Sequence, residues 1–301
     1  MYNIINLSKN DLTCKINLSL GANLISLRYK QDKILREPDY TKPLDNPYLY
    51  GMPILFPVNR IEGGRFTFEG REYIFPINEE KTGCHLHGDL HQTPFTLKSK
   101  SSSSLVCLYK ATKLNPYLNF QHEFEVEIEY KLVAHGVKIK TTFKNNSKLN
   151  MPIFLGYHTT FNAQENSFVK VDASFEFERN NIYLPTGKTL AFDDVTNNLI
   201  NGEFKPLSTS LSKHYKCKKH GKIAIFNKSS NYTMQYINSK NLSFRLIYGE
   251  GKDFICLEPQ TCLANAANSP FSRNDSGFTY IKPNKKMVFN SFIKIAKGDK
   301  R

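Results

Sequence analysis

The sequence predicts an all-β protein, a single large antiparallel sandwich with few short helices, and three observations carry that expectation. Apolar and polar residues alternate with period 2 wherever a period is visible. No segment holds an i, i+3, i+4 apolar stripe over three turns. Turn residues are abundant, and phenylalanine (22) and tyrosine (16) are plentiful while tryptophan is absent.

Taken in order, Cys14–Leu20 and Leu24–Tyr29 open the series of strands. Arg65–Phe75 (RFTFEGREYIF) reads as a hairpin, with Glu69-Gly70 at the turn and Phe66, Phe68 and Tyr73 as apolar strand positions. Ser101–Ser104 is a loop tip leading to the strand Leu105–Lys110. Phe124–Lys131 (FEVEIEYK) places Phe124, Val126, Ile128 and Tyr130 on one face, and Val137–Lys144 (VKIKTTFK) returns after a turn at His135-Gly136. Ser167–Phe177, Gly221–Phe226, Tyr232–Ile237, Leu242–Tyr248, Phe254–Leu257 and Lys286–Ile295 complete the set, with Pro185–Glu203 read as a long irregular connection.

A chain of 301 residues can bury a substantial core as one large domain or two ordinary ones. Neither the serine run nor Pro185–Glu203 has linker composition, so one domain over residues 1–301 is expected. The apolar run Tyr48–Val58 is broken by Gly51, Pro53 and Pro57, too short and interrupted for a bilayer. The N-terminus lacks a basic start followed by an apolar block, so a cytoplasmic location without membrane partners is expected. Six cysteines without paired spacing are expected reduced and mostly buried. The net charge of +14 is spread along the chain; its densest cluster, Lys213–Lys222, is short, which argues for a basic surface rather than a nucleic-acid footprint.

Four windows carry candidate chemistry. Gly83–Gln92 (GCHLHGDLHQ) holds three of the eight histidines. His85 and His87 would share a strand face and Cys84 would not, but two ligands make no metal site and no spaced partners supply the others. Gly88 permits close approach of backbone to a ligand. Phe154–Asn162 (FLGYHTTFN) sets His158 among apolar and hydroxyl residues, a pattern equally at home in a satisfied core. Phe254–Thr261 (FICLEPQT) ends a buried strand on Glu258, and a carboxylate there needs a partner because burying it alone is costly. Pro57–Gly70 (PVNRIEGGRFTFEG) presents Arg60, which either caps a sheet edge or offers a planar fork of donors. One arginine, two histidines and one glutamate suit acid-base chemistry on a polar substrate, and no nucleophile-elbow, zinc-protease, phosphate-loop or dinucleotide motif is present.

In this order the windows NRIEGGRFTFEGREY, LHGD, GYHTTFN and LEPQ resemble the aldose 1-epimerase family, the galactose mutarotases, over about Ser26 to Phe292. The resemblance implies a β-supersandwich that interconverts the α and β anomers of a free hexose without cofactor or metal. It implies Glu258 as general base and His158 as general acid, with Arg60, His87, Asn59 and Gln260 holding the sugar. Reference pKa values agree: a glutamate near 4.3 is ionised at neutral pH, and a histidine near 6.5 is partly protonated. His85 and His91 are then bystanders. A monomer or homodimer with a small sugar as its only partner is expected. Such proteins usually carry a sugar-binding aspartate between the histidine and the glutamate, whereas this chain reads Ser212-Lys213-His214-Tyr215, with Asp193 and Asp194 well upstream. A basic residue there would suit a phosphorylated hexose. A sugar-binding protein without activity is the remaining alternative, opposed by the retention of both Glu258 and His158.

Overall fold

The alternation at Phe124–Lys131 becomes the strand Phe124–Val133, paired antiparallel with Gly136–Asn145 from Phe124 opposite Asn145 to Val133 opposite Gly136. Its loop is Ala134-His135, one residue earlier than expected. The second hairpin pairs Arg65–Phe68 with Arg71–Ile74, and its loop residues Glu69 and Gly70 take φ of 48° and 72°, the left-handed pair that a two-residue hairpin turn needs. The computed structural model describes residues 2–218, 223–227 and 232–297.

Two large antiparallel sheets dominate. The first runs in the order Thr96–Lys100, Ser104–Ala111, Phe124–Val133, Gly136–Asn145, Lys286–Lys297, Tyr232–Asn238, Ile223–Asn227, Ser167–Lys170. The second runs Pro185–Leu190, Ala173–Arg179, Ser210–Cys217, Phe244–Glu250, Phe254–Gln260, Gly156–Tyr157, Ile54–Leu55, with Thr159–Asn162 also paired to Phe254–Gln260. A four-stranded sheet formed by Ile4–Lys9, Leu12–Asn17, Asn23–Tyr29 and Asp32–Lys33 completes the frame. One apolar cluster joins all three, from Leu7 through Ile128 and Leu257 to Ile295. Each fully buried side chain of this kind is worth about 1.5–3 kcal/mol. Tyr157 donates to Thr141 Oγ1 at 2.5 Å, and Thr159 Oγ1 lies 3.0 Å from the Tyr236 hydroxyl, so polar contacts also tie the large sheets together.

Two expectations are corrected. Ser167–Phe177 is two strands: Ser167–Lys170 belongs to the first large sheet and Ala173–Arg179 to the second, with Val171 and Asp172 crossing between them. Pro185–Glu203 is structured, as the strand Pro185–Leu190 and the helix Asp194–Asn201. Its strand buries only Pro185 and so shows no alternation; its helix is two turns long, capped by the Asp193 side chain and by Gly202 in the left-handed region. The strand expected at Gly221–Phe226 is seen over Ile223–Asn227, and Gly221 and Lys222 lie outside the described residues. The six cysteines are free and buried. Among the described residues no helix is long and apolar enough to cross a membrane.

Candidate functional site

Glu258 stands on Phe254–Gln260, a strand buried throughout and paired on both sides. Alternate residues Ile255 and Leu257 enter the main core, while Phe254 and Cys256 join a small cluster with Leu49, so Glu258 faces away from the main core. His158 stands between Gly156–Tyr157 and Thr159–Asn162, and its Nε2 lies 3.2 Å from Glu258 Oε1. The two strands can run this close because residue 156 is glycine: a Cβ there would sit 2.4 Å from Val58 Cγ2 and 3.2 Å from Gln260 Cγ.

Four further residues from the sequence windows converge on the pair. Gln260 Nε2 donates to Glu258 Oε2 at 3.2 Å, and Asn59 Nδ2 donates to Gln260 Oε1 at 3.4 Å, a relay that orients the carboxylate. The Asn59 backbone N–H donates to His87 Nδ1 at 3.2 Å, so the neutral ring of His87 carries its proton on Nε2. Arg60 spends Nε and one terminal nitrogen on the two oxygens of Glu79, each at 2.6 Å, and lays its guanidinium 4.5 Å from the Tyr183 ring centre. Glu258 Oε1 and His158 Nδ1 are buried with no hydrogen-bond partner among the described residues. An unmet buried acceptor costs about 1–3 kcal/mol, which a bound hydroxyl would recover.

Burial sets the protonation. It pushes the Glu258 carboxyl up to about 8, against the opposing hydrogen bond from Gln260 and the charges of Arg179 and Arg60. It pushes His158 down to about 3. His87 is held well below the usual imidazole range by burial, then by His158 and Arg60. The unliganded pair therefore holds one proton at neutral pH and keeps it on Glu258, the reverse of the order expected from reference values.

Other predicted residues fall elsewhere. His85 Nδ1 bonds the Pro76 carbonyl at 2.7 Å and the ring stacks on Phe75, a packing role. His91 is no bystander to the wall of the site: Tyr48 lies 4.8 Å from both His87 and His91 and 6.0 Å from His158, spanning all three rings. Lys213 lines up with Ile247 and Leu257 on the core side of the sheet and pairs with Glu176 at 2.9 Å and Asp193 at 2.8 Å. It cannot meet a ligand beside Glu258, and Asp193 is spent on it and on the helix cap. His214 lies on the Glu258 side of the sheet, with Leu246 between them in register. Sequence reading missed Tyr48, Tyr183 and Arg179. Arg179 donates to the carbonyl and, at 3.2 Å, the hydroxyl of Ser212, the residue that faces the site where Lys213 does not. A pocket of about 730 Å³ lies beyond the His87–Asp89 turn, lined by Asp89, Thr93, Tyr109 and Tyr117, and contains none of the acid-base side chains. Among the described residues no group of three or more His, Cys, Asp or Glu side chains could hold a metal ion.

The architecture is that of the galactose mutarotase-like proteins. A galactose mutarotase-like protein from Clostridium acetobutylicum superposes with a TM-score of 0.90 at 27% identity, covering 99% of this chain and 98% of that one. The galactose 1-epimerase of Lactobacillus acidophilus shares the fold at a TM-score of 0.70 and 14% identity, covering 99% of each chain. In sequence, the uncharacterized protein YihR of Escherichia coli is 24% identical over 143 residues, 47% of this chain and 44% of YihR. YphB of the same organism is 25% identical over 122 residues, 40% of each chain, so both matches span less than half of either partner. The aldose 1-epimerase family model matches residues 3–288, and the chain belongs to that family.

Proposed function

We propose that this protein interconverts the α and β anomers of a hexose by acid-base ring opening, with Glu258 and His158 as the proton-transfer residues. The observation that supports this most is the buried pair itself, a carboxyl and an imidazole 3.2 Å apart, with Glu258 on the face of its strand turned away from the main core. Ring opening removes a proton from the anomeric hydroxyl and delivers one to the neighbouring ring oxygen as the C1–O5 bond breaks. Two proton carriers side by side match two adjacent oxygens.

When sugar oxygens hydrogen-bond to the pair, the proton resting on Glu258 passes to His158, leaving a carboxylate to accept the O1 proton and an imidazolium to donate to O5. The aldehyde turns about C1–C2 and recloses on its other face, and both transfers reverse. Gln260 holds the carboxylate, His87 offers Nε2–H to a sugar oxygen, and Arg60 is kept in place by Glu79. Each proton transfer contributes typically about 10²–10⁴-fold.

The test is anomeric-proton NMR, or polarimetry, on freshly dissolved α-glucose and α-galactose. Equilibration should quicken in proportion to enzyme; an unchanged rate for every sugar tried would count against the assignment. The proton count gives a pH signature as well. Catalysis needs one proton on the pair, and Glu258 surrenders it as pH rises through about 8. The profile of kcat/KM should therefore be level around neutrality and fall about tenfold per unit above that value. A rate that instead climbs through this range and stays high would mean that an ionised Glu258 works without a proton on His158.

A further inference from the structure

Arg179 is a cation of the site that forms no ion pair among the described residues. Every other basic side chain buried near it is spent: Arg60 on Glu79, and Lys213 on Glu176 and Asp193. The Arg179 guanidinium, only partly exposed, forms no ion pair among the described residues and gives one terminal nitrogen to Ser212. Its other donors contact no acceptor among the described residues, although a guanidinium presents five N–H groups. It lies 5.6 Å from the centre of the Tyr183 ring that Arg60 also approaches at 4.5 Å, so two guanidiniums share one aromatic ring.

Burial and the neighbouring Arg60 disfavour the charge on Arg179, while Glu176 and Glu258 favour it without pairing with it. Lys213 faces two carboxylates, Glu176 and Asp193, so charge near the site is balanced overall while the Arg179 fork itself is left without a carboxylate in hydrogen-bond contact among the described residues. Beside it, His214 is fully buried with neither ring nitrogen hydrogen-bonded among the described residues, and its charging is opposed first by burial and then by Arg179. A planar fork with free donors, at a site built to open a sugar ring, matches an oxyanion far better than a row of hydroxyls.

We propose, resting on the epimerase reading, that Arg179 binds an oxyanion group on the sugar, so that the substrate is an acidic aldose, a hexuronate or a hexose phosphate, rather than a neutral hexose. Arg179 is then the residue that sets specificity, and Tyr183 holds its fork in position against Arg60.

Anomeric exchange should be measured by NMR for glucose, galactose, glucuronate, galacturonate and glucose 6-phosphate, with wild type, Arg179→Gln and Arg179→Lys. Calorimetric titration of glucose, glucuronate and glucose 6-phosphate should run beside it. Wild type is expected to favour one acidic sugar over its neutral parent by about ten- to a hundredfold in kcat/KM, the scale of a charge-assisted pair. That ratio should fall to near one in Arg179→Gln and survive in part in Arg179→Lys. Carboxylate and phosphate arms decide which oxyanion is recognised. Equal rates for acidic and neutral sugars in wild type, or an undiminished ratio in Arg179→Gln, overturn the proposal while leaving the epimerase reading intact. If wild type exchanges no sugar, that reading fails and calorimetry decides: about tenfold tighter binding of an acidic sugar, lost in Arg179→Gln, upholds the oxyanion site, and equal or absent binding overturns it.

Discussion

Glu258→Gln is expected to slow anomer exchange by about 10²–10⁴-fold while changing sugar affinity by less than about threefold. The amide keeps the shape of the side chain and an oxygen able to accept from Gln260 Nε2, now at 3.2 Å from the carboxyl. It cannot take the O1 proton. The variant should also fold, because it removes an ionisable group from a site where that group is 1% exposed. Linkage adds a second reading of the same substitution. The carboxyl binds its proton more tightly folded than unfolded, its pKa moving from 4.5 to about 8. Its contribution to stability is thus greatest below pH 4.5 and is lost as pH rises to about 8. Urea unfolding should show Glu258→Gln gaining on wild type across that interval. Joint loss of binding and folding would make Glu258 a structural residue, and joint loss of rate and affinity without unfolding would favour a sugar binder over an enzyme.

The second large effect belongs to Gly88. A Cβ at this position would lie 1.8 Å from the Phe56 carbonyl oxygen and 2.4 Å from its carbon, and φ is +60°. These are backbone atoms that cannot swing aside, and the same oxygen accepts from the Tyr117 hydroxyl. His87 precedes it at φ +64°, so two consecutive left-handed residues turn the chain beneath the site. Gly88→Ala should cost about 3 kcal/mol or more, read as a lowered urea midpoint, and should displace His87 from Asn59. A change below about 1 kcal/mol would show that the turn relaxes freely.

The fold was legible where burial is one-sided. Phe124–Leu132 alternates because each apolar residue meets the core and each polar one does not, and the hairpin loops were announced by Glu69-Gly70 and, within one residue, by His135-Gly136. Pro185–Leu190 was invisible because an edge strand with five exposed residues has no contrast to read. The site was legible in its compact windows, since the turn at His87-Gly88, the strand end at Glu258 and the segment around His158 each carry a local oddity. Arg179, Tyr183 and Tyr48 have none: nothing local marks an arginine at a strand end or a tyrosine before a proline-broken run. They reach the site only through tertiary packing, Arg179 from the end of a strand, Tyr48 from the short helical turn Pro47–Leu49 and Tyr183 from the connection that follows Arg179. Strand phase explains the error at Lys213, for a slip of one residue exchanges the two faces, and Ser212 holds the place that Lys213 was expected to take.

The Glu258 strand is bonded to Phe244–Glu250 on one side and to Thr159–Asn162 and Gly156 on the other. Its amides sit where opening to solvent requires both ladders to part, so they should exchange hydrogen on the timescale of global unfolding rather than of local fraying. Glu258, the proposed general base, is thereby anchored in the part of the molecule expected to yield last. On heating, activity and fold should disappear together, without an earlier inactive stage in which the scaffold stands and the site has already come apart.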